Sequence, residues 1–330
     1  MKKIILLLLL AISQSCVTNI KPNTYVNDNK AQLYNNIAQL IKKHNYKHIQ
    51  ECNCMKAFYR NLLTAPNNTS RYIFDDKVAS MAVNLQKKRV NILAIGSGKL
   101  LNELTALASV LSKGINLDIY LLDHNYLFYD DKDFAKNSVK MKNNQKLIPK
   151  GWQNLHIWRQ FNEKKDEELV TFLQDMHLAI DEFKVIIKEL DNIYHTQSNI
   201  HVLKPPQKKA IVLDKSLDII LAIDAYMDLP NLISNLYYDL FTDNKLIKFI
   251  TLNKHISALG YFDSNDLQNR EQDSQKSVSI EIHDVIVNQK LINTKLIEKL
   301  NIEPSQDQIK EGVNFTNDPD INTEYSPLKN

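Results

Sequence analysis

The sequence predicts an α/β protein in which helices pack on a mostly parallel β-sheet in three layers. Three short apolar segments, residues 90–95, 117–122 and 217–223, have the length and composition of buried strands. Between the first two, leucines recur at helical spacing over residues 100–111, and Gly114 is a natural end for that helix. A strand, a helix and a second strand in this order form the unit from which parallel sheets are built.

The same periodicity predicts the other elements. Residues 166–194 are the longest periodic stretch in the chain and predict one long helix. The remaining predicted helices are residues 31–46, 77–86 and 229–241, and the remaining predicted strands are residues 200–203, 246–252 and a strand pair within residues 277–287. The expected organisation is a signal peptide (residues 1–16), a spacer with a helical extension (17–74), the α/β domain (75–290) and a polar, disordered tail (291–330).

The composition limits the possible functions. The chain has 330 residues, of which 44% are hydrophobic and 24% charged, with a formal net charge of +3. Such a chain is globular rather than disordered or fibrous, and three cysteines are too few for a miniprotein held by disulfides. The small net charge gives no basis for nucleic-acid binding, so we expect no nucleic-acid partner.

Residues 1–16 resemble a bacterial secretory signal. Two lysines precede the apolar residues 4–12, which would span about 14 Å as a helix, too little to cross a bilayer. Cys16 occupies the position of the lipidated cysteine in a lipoprotein signal, whereas Ser13 departs from the aliphatic residue that this pattern prefers. Lipidation of Cys16 and simple cleavage after Ser15 are therefore alternatives. Either way we expect an exported protein, secreted or anchored to the membrane by lipid alone.

The turn after the first predicted strand has the sequence Gly96-Ser97-Gly98. Glycine has no Cβ, so such a turn can tighten and a ligand can approach its backbone, while the following helix presents partly positive amides. Asp123 and Asp224 each follow a later strand. The carboxyl ends of parallel strands meet at one edge of the sheet, and an acid there can accept ribose hydroxyls. The sequence therefore predicts a nucleoside site at this edge.

The order of strand, Gly-Ser-Gly, helix, strand and acid resembles the first motif of the class I S-adenosylmethionine-dependent methyltransferases, a family with a Rossmann-type sheet. The resemblance covers residues 88–253. Two other glycine motifs fit less well. The phosphate loop of nucleotide hydrolases would need glycine at Leu93 and serine or threonine at Leu100, and the dinucleotide fingerprint would need glycine or alanine at Leu101.

The resemblance implies S-adenosylmethionine as the cofactor and assigns roles to particular residues. The acid and the third glycine that the family usually has are replaced by Ala94 and Leu100, which weakens the expected contacts with the cofactor. The residues implied to bind the cofactor are Gly96, Ser97, Gly98, Asp123 and His124, and those implied to orient or deprotonate the unknown methyl acceptor are Asp224 and Tyr226.

Two functions follow, because an exported protein seldom meets a cytosolic cofactor. Either the chain acts as a methyltransferase after delivery into another cell, or it is a lipoprotein whose degenerate Rossmann-like domain is a non-catalytic binding or interaction module. In the second case the two glycines only permit a tight turn, and the two aspartates are strand ends or helix caps.

A separate group of residues has metal-ligand types. His44, His48 and Cys52 are spaced to share one helix face, and Cys54 follows. This spacing matches no known zinc pattern, and the alternative is a basic helix followed by two ordinary cysteines. We therefore predict no metal site.

Overall fold

The computed structural model describes residues 17–20, 28–50, 69–144, 164–203, 217–223, 245–255, 277–287 and 292–302. The strands in these ranges are β1 (Val17–Ile20), β2 (Arg89–Ile95), β3 (Asn116–Leu122), β4 (Ser198–Leu203), β5 (Ile219–Ile223), β6 (Lys245–His255), β7 (Ser277–Val287) and β8 (Ile292–Ile302). The helices are α1 (Asp28–His44), α2 (Thr69–Asn84), α3 (Leu101–Leu111), α4 (Phe134–Asn143) and α5 (Asp166–Tyr194), with a 3₁₀ helix at His124–Tyr126.

The eight strands form one sheet in the order β1-β8-β7-β6-β5-β2-β3-β4. β2 pairs in parallel with β3 and β5, and β4 and β6 extend this parallel part on either side. β7 is antiparallel to both β6 and β8, and β1 is parallel to β8 at the edge. The order β4-β3-β2-β5-β6 is that of a Rossmann-type sheet, whose strand order reverses between β2 and β5. The predicted α/β fold with a mostly parallel sheet is confirmed.

Both faces of the central strands are buried, which explains why they have continuous apolar sequences. On one face of β2, Val90, Ile92 and Ala94 join a single hydrophobic core with α1, α2, α3 and α5. On the other face, Leu93 and Ile95 are buried as well. The helix predicted at residues 229–241 falls in a part of the chain that the structure does not describe.

The predicted helical extension is present and belongs to the main core. α1 contributes Leu33, Ile37 and Leu40, which recur at helical spacing and are buried. α2 is longer than predicted, since it begins at Thr69 rather than at residue 77.

The sheet extends beyond the predicted domain boundaries, so the limits 75 and 290 require correction. β1 lies within the expected spacer, and β8 lies within the expected disordered tail. Residues 277–287 form one strand instead of a strand pair. β8 has a polar sequence, and two of its charged residues are paired; the Nζ of Lys299 lies 2.6 Å from the Oε1 of Glu281 on β7, and Glu298 pairs with Lys77 on α2.

Residues 1–16, predicted to be a signal peptide, lie outside the described ranges. Within those ranges, no helix is long and apolar enough to cross a membrane.

Candidate functional site

The glycine turn lies at the carboxyl edge of the sheet, next to the point where the strand order reverses. Gly96 has a φ of 68° and Gly98 a φ of 50°, in the left-handed region that side chains other than glycine rarely adopt. A Cβ added at Gly98 would meet no atom within 4 Å. The Cα of Gly98 therefore faces open space, which leaves room for a ligand to approach its backbone.

Leu100 continues this unusual backbone and begins α3. Its φ is 70°, so it adopts the conformation that glycine would adopt without strain, and its side chain is only 1% exposed. Its main-chain N–H donates to the carbonyl of Ser97 over 2.9 Å, which closes the turn. The sequence departs from the methyltransferase pattern at this position, whereas the left-handed backbone is one that glycine favours.

Asp123 supports the turn directly. Its side chain is 3% exposed, and its Oδ2 accepts a hydrogen bond from the main-chain N–H of Gly98 over 3.0 Å. Its Oδ1 accepts from the N–H of Asn125 over 2.8 Å. The predicted residue thus lies beside the glycine turn, and both of its oxygens already bind main-chain groups. Carboxylate oxygens in general accept more than one hydrogen bond, as binding of a ribose beside these contacts would require.

Tyr126 binds the next peptide group of the turn, and the sequence analysis did not point to it. Its hydroxyl donates to the carbonyl oxygen of Gly98 over 2.7 Å, and its side chain is fully buried. Burial raises its pKa well above the usual value, and the negative charges of Asp123 and Glu103 add to that effect. The phenol therefore stays protonated and remains a donor. In the sequence, only its position three residues after Asp123 could have indicated that Tyr126 lies near the turn.

Asn125 tests whether the site fits a nucleoside. Its side chain is 7% exposed, and its Oδ1 has no hydrogen-bond partner among the described residues. Because an unpaired buried acceptor is costly, this atom suits a ligand that carries N–H or O–H groups. Together with the open backbone of Gly98 and the carboxylate of Asp123, it gives a small set of polar groups that fits a nucleoside. Ser97, also predicted to bind the cofactor, is buried within the turn.

The other predicted site residues are placed less fully. His124 is the first residue of the 3₁₀ helix, directly after Asp123. Asp224 and Tyr226 lie outside the described residues. β5 ends at Ile223 and pairs with β2 next to the glycine turn, with Ala222 opposite Ile95, so the chain leaves β5 at the predicted edge.

A short segment after α1 reaches the glycine turn, and no local sequence pattern pointed to it. The N–H of Gln50 donates to the carbonyl of Lys99 over 3.2 Å, and the N–H of Leu101 donates to the carbonyl of Gln50 over 3.4 Å. The buried carboxylate of Glu182 on α5 accepts hydrogen bonds from the main chain just before Gln50.

The histidines of the possible metal group bind carboxylates of α5. The Nδ1 of His48 lies 2.8 Å from Oε1 of Glu182, and His44 contacts Glu189. Within the described ranges no three histidine, cysteine or acidic side chains cluster as metal ligands would. Cys52 and Cys54 lie outside those ranges.

Comparisons with known proteins give only distant structural similarity. No family model matches the sequence, and no curated protein matches it. One similar solved structure is an S-adenosylmethionine-dependent methyltransferase from Clostridium acetobutylicum, with 11% identity, a TM-score of 0.28, and coverage of 79% of this chain and 86% of that one. Another is the E. coli protein YjhP, with 10% identity, a TM-score of 0.23, and coverage of 60% of this chain and 56% of that one. Similarity this low leaves function to be argued from the site.

Proposed function

We propose that the protein binds S-adenosylmethionine at the glycine turn and is a methyltransferase-like protein. The observation that carries this proposal is the left-handed backbone of Gly96 and Gly98, with open space at Gly98, at the switch point of a Rossmann-type sheet. In open α/β sheets, ligands bind outside the carboxyl ends of the strands at this point. The acceptor is unknown.

The residues would divide the binding as follows. The turn formed by Gly96, Ser97 and Gly98 would contact the ligand through its backbone. Asp123 would accept hydrogen bonds from the ribose in addition to those from the main chain, and Asn125 would pair its buried Oδ1 with a donor of the ligand.

The cofactor, when bound, supplies a methyl group that its sulfonium already activates. Catalysis would then consist mainly of placing the acceptor in line with that methyl. Asp224 and Tyr226 are the proposed residues that orient the acceptor or remove its proton, since they follow β5 closely in the sequence and β5 ends at the carboxyl edge.

The competing function is the non-catalytic binding module of an exported lipoprotein. The contacts of Asp123 favour it, because a carboxylate that braces the turn has a structural role without any ligand. Export is part of both proposed functions, whereas lipid on Cys16 belongs to the lipoprotein module alone.

Thermal unfolding of the protein with S-adenosylmethionine or S-adenosylhomocysteine distinguishes the two functions. Ligand at about 100 times its dissociation constant adds roughly 2.7 kcal/mol to the free energy of unfolding. A rise in the unfolding temperature with either compound supports the cofactor site. No rise at millimolar concentration contradicts it and favours the binding module.

A further inference from the structure

We infer that Glu182 is a positioning residue that holds the glycine turn in place through residues 47–50, here named the strap. The strap follows α1 and lies between α5 and the glycine turn. Its effect on the turn can be tested without any ligand, whereas its effect on cofactor affinity rests on the proposed function.

One carboxylate anchors the strap to α5. The side chain of Glu182 is 8% exposed. Its oxygens accept hydrogen bonds from three successive main-chain N–H groups, those of Lys47 at 3.1 Å, His48 at 2.9 Å and Ile49 at 2.7 Å. The Nδ1 of His48 lies a further 2.8 Å away from Oε1. Hydrogen bonds to an ionised acceptor are stronger than neutral ones, so this carboxylate fixes the path of the strap.

The other end of the strap completes the start of α3. The first N–H groups of a helix have no partner within that helix, and the residue before α3, Leu100, provides no side-chain cap. Gln50 supplies the missing acceptor, since its carbonyl receives the N–H of Leu101. Its own N–H donates to Lys99. Two main-chain hydrogen bonds therefore join the strap to the residues directly after Gly98.

Packing makes the strap rigid enough to transmit this restraint. Ile49, whose N–H donates to Glu182 and which directly precedes Gln50, is buried in the main core. The restraint therefore passes from Glu182 along the strap to Lys99 and Leu101, and so to the turn at Gly98, which Asp123 and Tyr126 also bind.

Glu189 provides a matched control on the same helix. It lies about two turns further along α5 and binds Lys43, at 3.1 Å, and His44 at the end of α1. Glu189 thus joins α5 to the end of α1 through side chains, whereas Glu182 also binds main-chain N–H groups. The residues that Glu189 binds, Lys43 and His44, precede the strap, which begins at Lys47.

Hydrogen exchange at single amides tests the inference in the protein without ligand. In Glu182→Ala, the Gln50 and Leu101 amides should exchange at least about tenfold faster than in the wild type, because their hydrogen bonds open locally. Amides of β3 should keep their protection. In Glu189→Ala the Gln50 and Leu101 amides should exchange as in the wild type. Unchanged exchange in Glu182→Ala, or an equal increase in Glu189→Ala, would overturn the inference.

Chemical rescue separates anchoring from general loss of packing. Formate can occupy the place of the missing carboxylate in Glu182→Ala and accept the same N–H groups. We expect formate, and not chloride at equal ionic strength, to slow the exchange of Gln50 and Leu101 again. If formate has no effect, the accelerated exchange reflects disturbed packing and the inference fails.

Titration with S-adenosylmethionine extends the test to the proposed function. If the wild type binds the cofactor, Glu182→Ala should bind about tenfold more weakly, and formate should restore part of the affinity. Unchanged affinity in a variant whose strap has loosened would overturn the role of Glu182 in ligand binding. If the wild type does not bind, the proposed function fails, and the exchange experiment alone decides on the strap.

Discussion

The carboxylate of Asp123 and the main-chain N–H of Gly98 are joined by a hydrogen bond of 3.0 Å at the carboxyl edge of the sheet. It links the end of β3 to the turn after β2. The carboxylate also accepts the N–H of Asn125, so it connects the main chains after two neighbouring strands. The residue predicted to hold a ligand is thus also the residue that holds the binding turn.

Removing this carboxylate should lower stability as well as ligand binding. Asp123→Ala leaves two main-chain donors without their acceptor, and we expect a loss of about 3 kcal/mol in the free energy of unfolding. Asp123→Asn keeps one side-chain oxygen as an acceptor and should lose about half as much. Urea denaturation measures both values. If Asp123→Ala is as stable as the wild type, the bracing role is wrong.

Tyr126 should make the protein sensitive to alkali. Burial raises its pKa in the folded state, so the folded protein holds the phenolic proton more tightly than the unfolded chain does. This contribution to stability is complete below about pH 10, the usual tyrosine value, and is lost as the pH rises towards the higher folded value. In Tyr126→Phe the fall in stability above pH 10 should be shallower.

The same substitution has a cost at neutral pH. Tyr126→Phe removes the hydrogen bond to the carbonyl of Gly98, and we expect about 1 kcal/mol less stability at pH 7. Denaturation with urea at pH 7 and at about pH 10.5 checks both parts. If the stability of the variant and of the wild type falls equally with rising pH, Tyr126 is not the source of the sensitivity to alkali.

Much of the site's framework could be predicted from local sequence. A continuous local signal in the sequence marks each of β2, the glycine turn, α3 and β3. Their order, and the position of Asp123 after β3, could therefore be predicted. β8 could not be predicted, because Glu298 and Lys299 look solvent-exposed until they pair with Lys77 on α2 and Glu281 on β7. The strap has no local signal at all, since the partners of Gln50 lie at Lys99 and Leu101. Glu182 is a polar residue within the apolar stripe of α5, and only the tertiary structure explains it.

Leu100 should show an unusual order of stability among its variants. Replacing a residue by glycine normally lowers protein stability more than replacing it by alanine. At this position, however, the φ of 70° costs every residue other than glycine about 1 kcal/mol. Leu100→Ala should lose about 3 kcal/mol through the cavity it leaves. Leu100→Gly should be no less stable than Leu100→Ala, because glycine adopts this φ without backbone strain. Thermal denaturation compares the stabilities of the two variants. A glycine variant that unfolds at a clearly lower temperature than the alanine variant would contradict the strained backbone.

Glu281 should contribute to stability at neutral pH and not in strong acid. Hydrogen bonding to His283 and Lys299 outweighs burial and lowers its pKa to about 2. A lowered pKa stabilises the folded protein above the unfolded value of about 4.3, and this contribution is lost as the pH falls towards 2. After allowance for solvent screening, we expect Glu281 to contribute about 1 kcal/mol to the free energy of unfolding at neutral pH. Glu281→Gln should therefore be less stable than the wild type at pH 7 and equally stable near pH 2; a constant difference would contradict this.

Calorimetric titration with S-adenosylmethionine of the wild type, Gly98→Ala and Gly114→Ala tests the central claim most directly. Both glycines have a positive φ, 50° and 72°, and a Cβ at either would meet nothing within 4 Å, so both variants should fold with a similar backbone penalty. Only Gly98 lies in the proposed site. The wild type and Gly114→Ala should bind with similar affinity, whereas Gly98→Ala should bind at least about tenfold more weakly. No binding by the wild type, or equal binding by all three proteins, would contradict the cofactor site at the glycine turn.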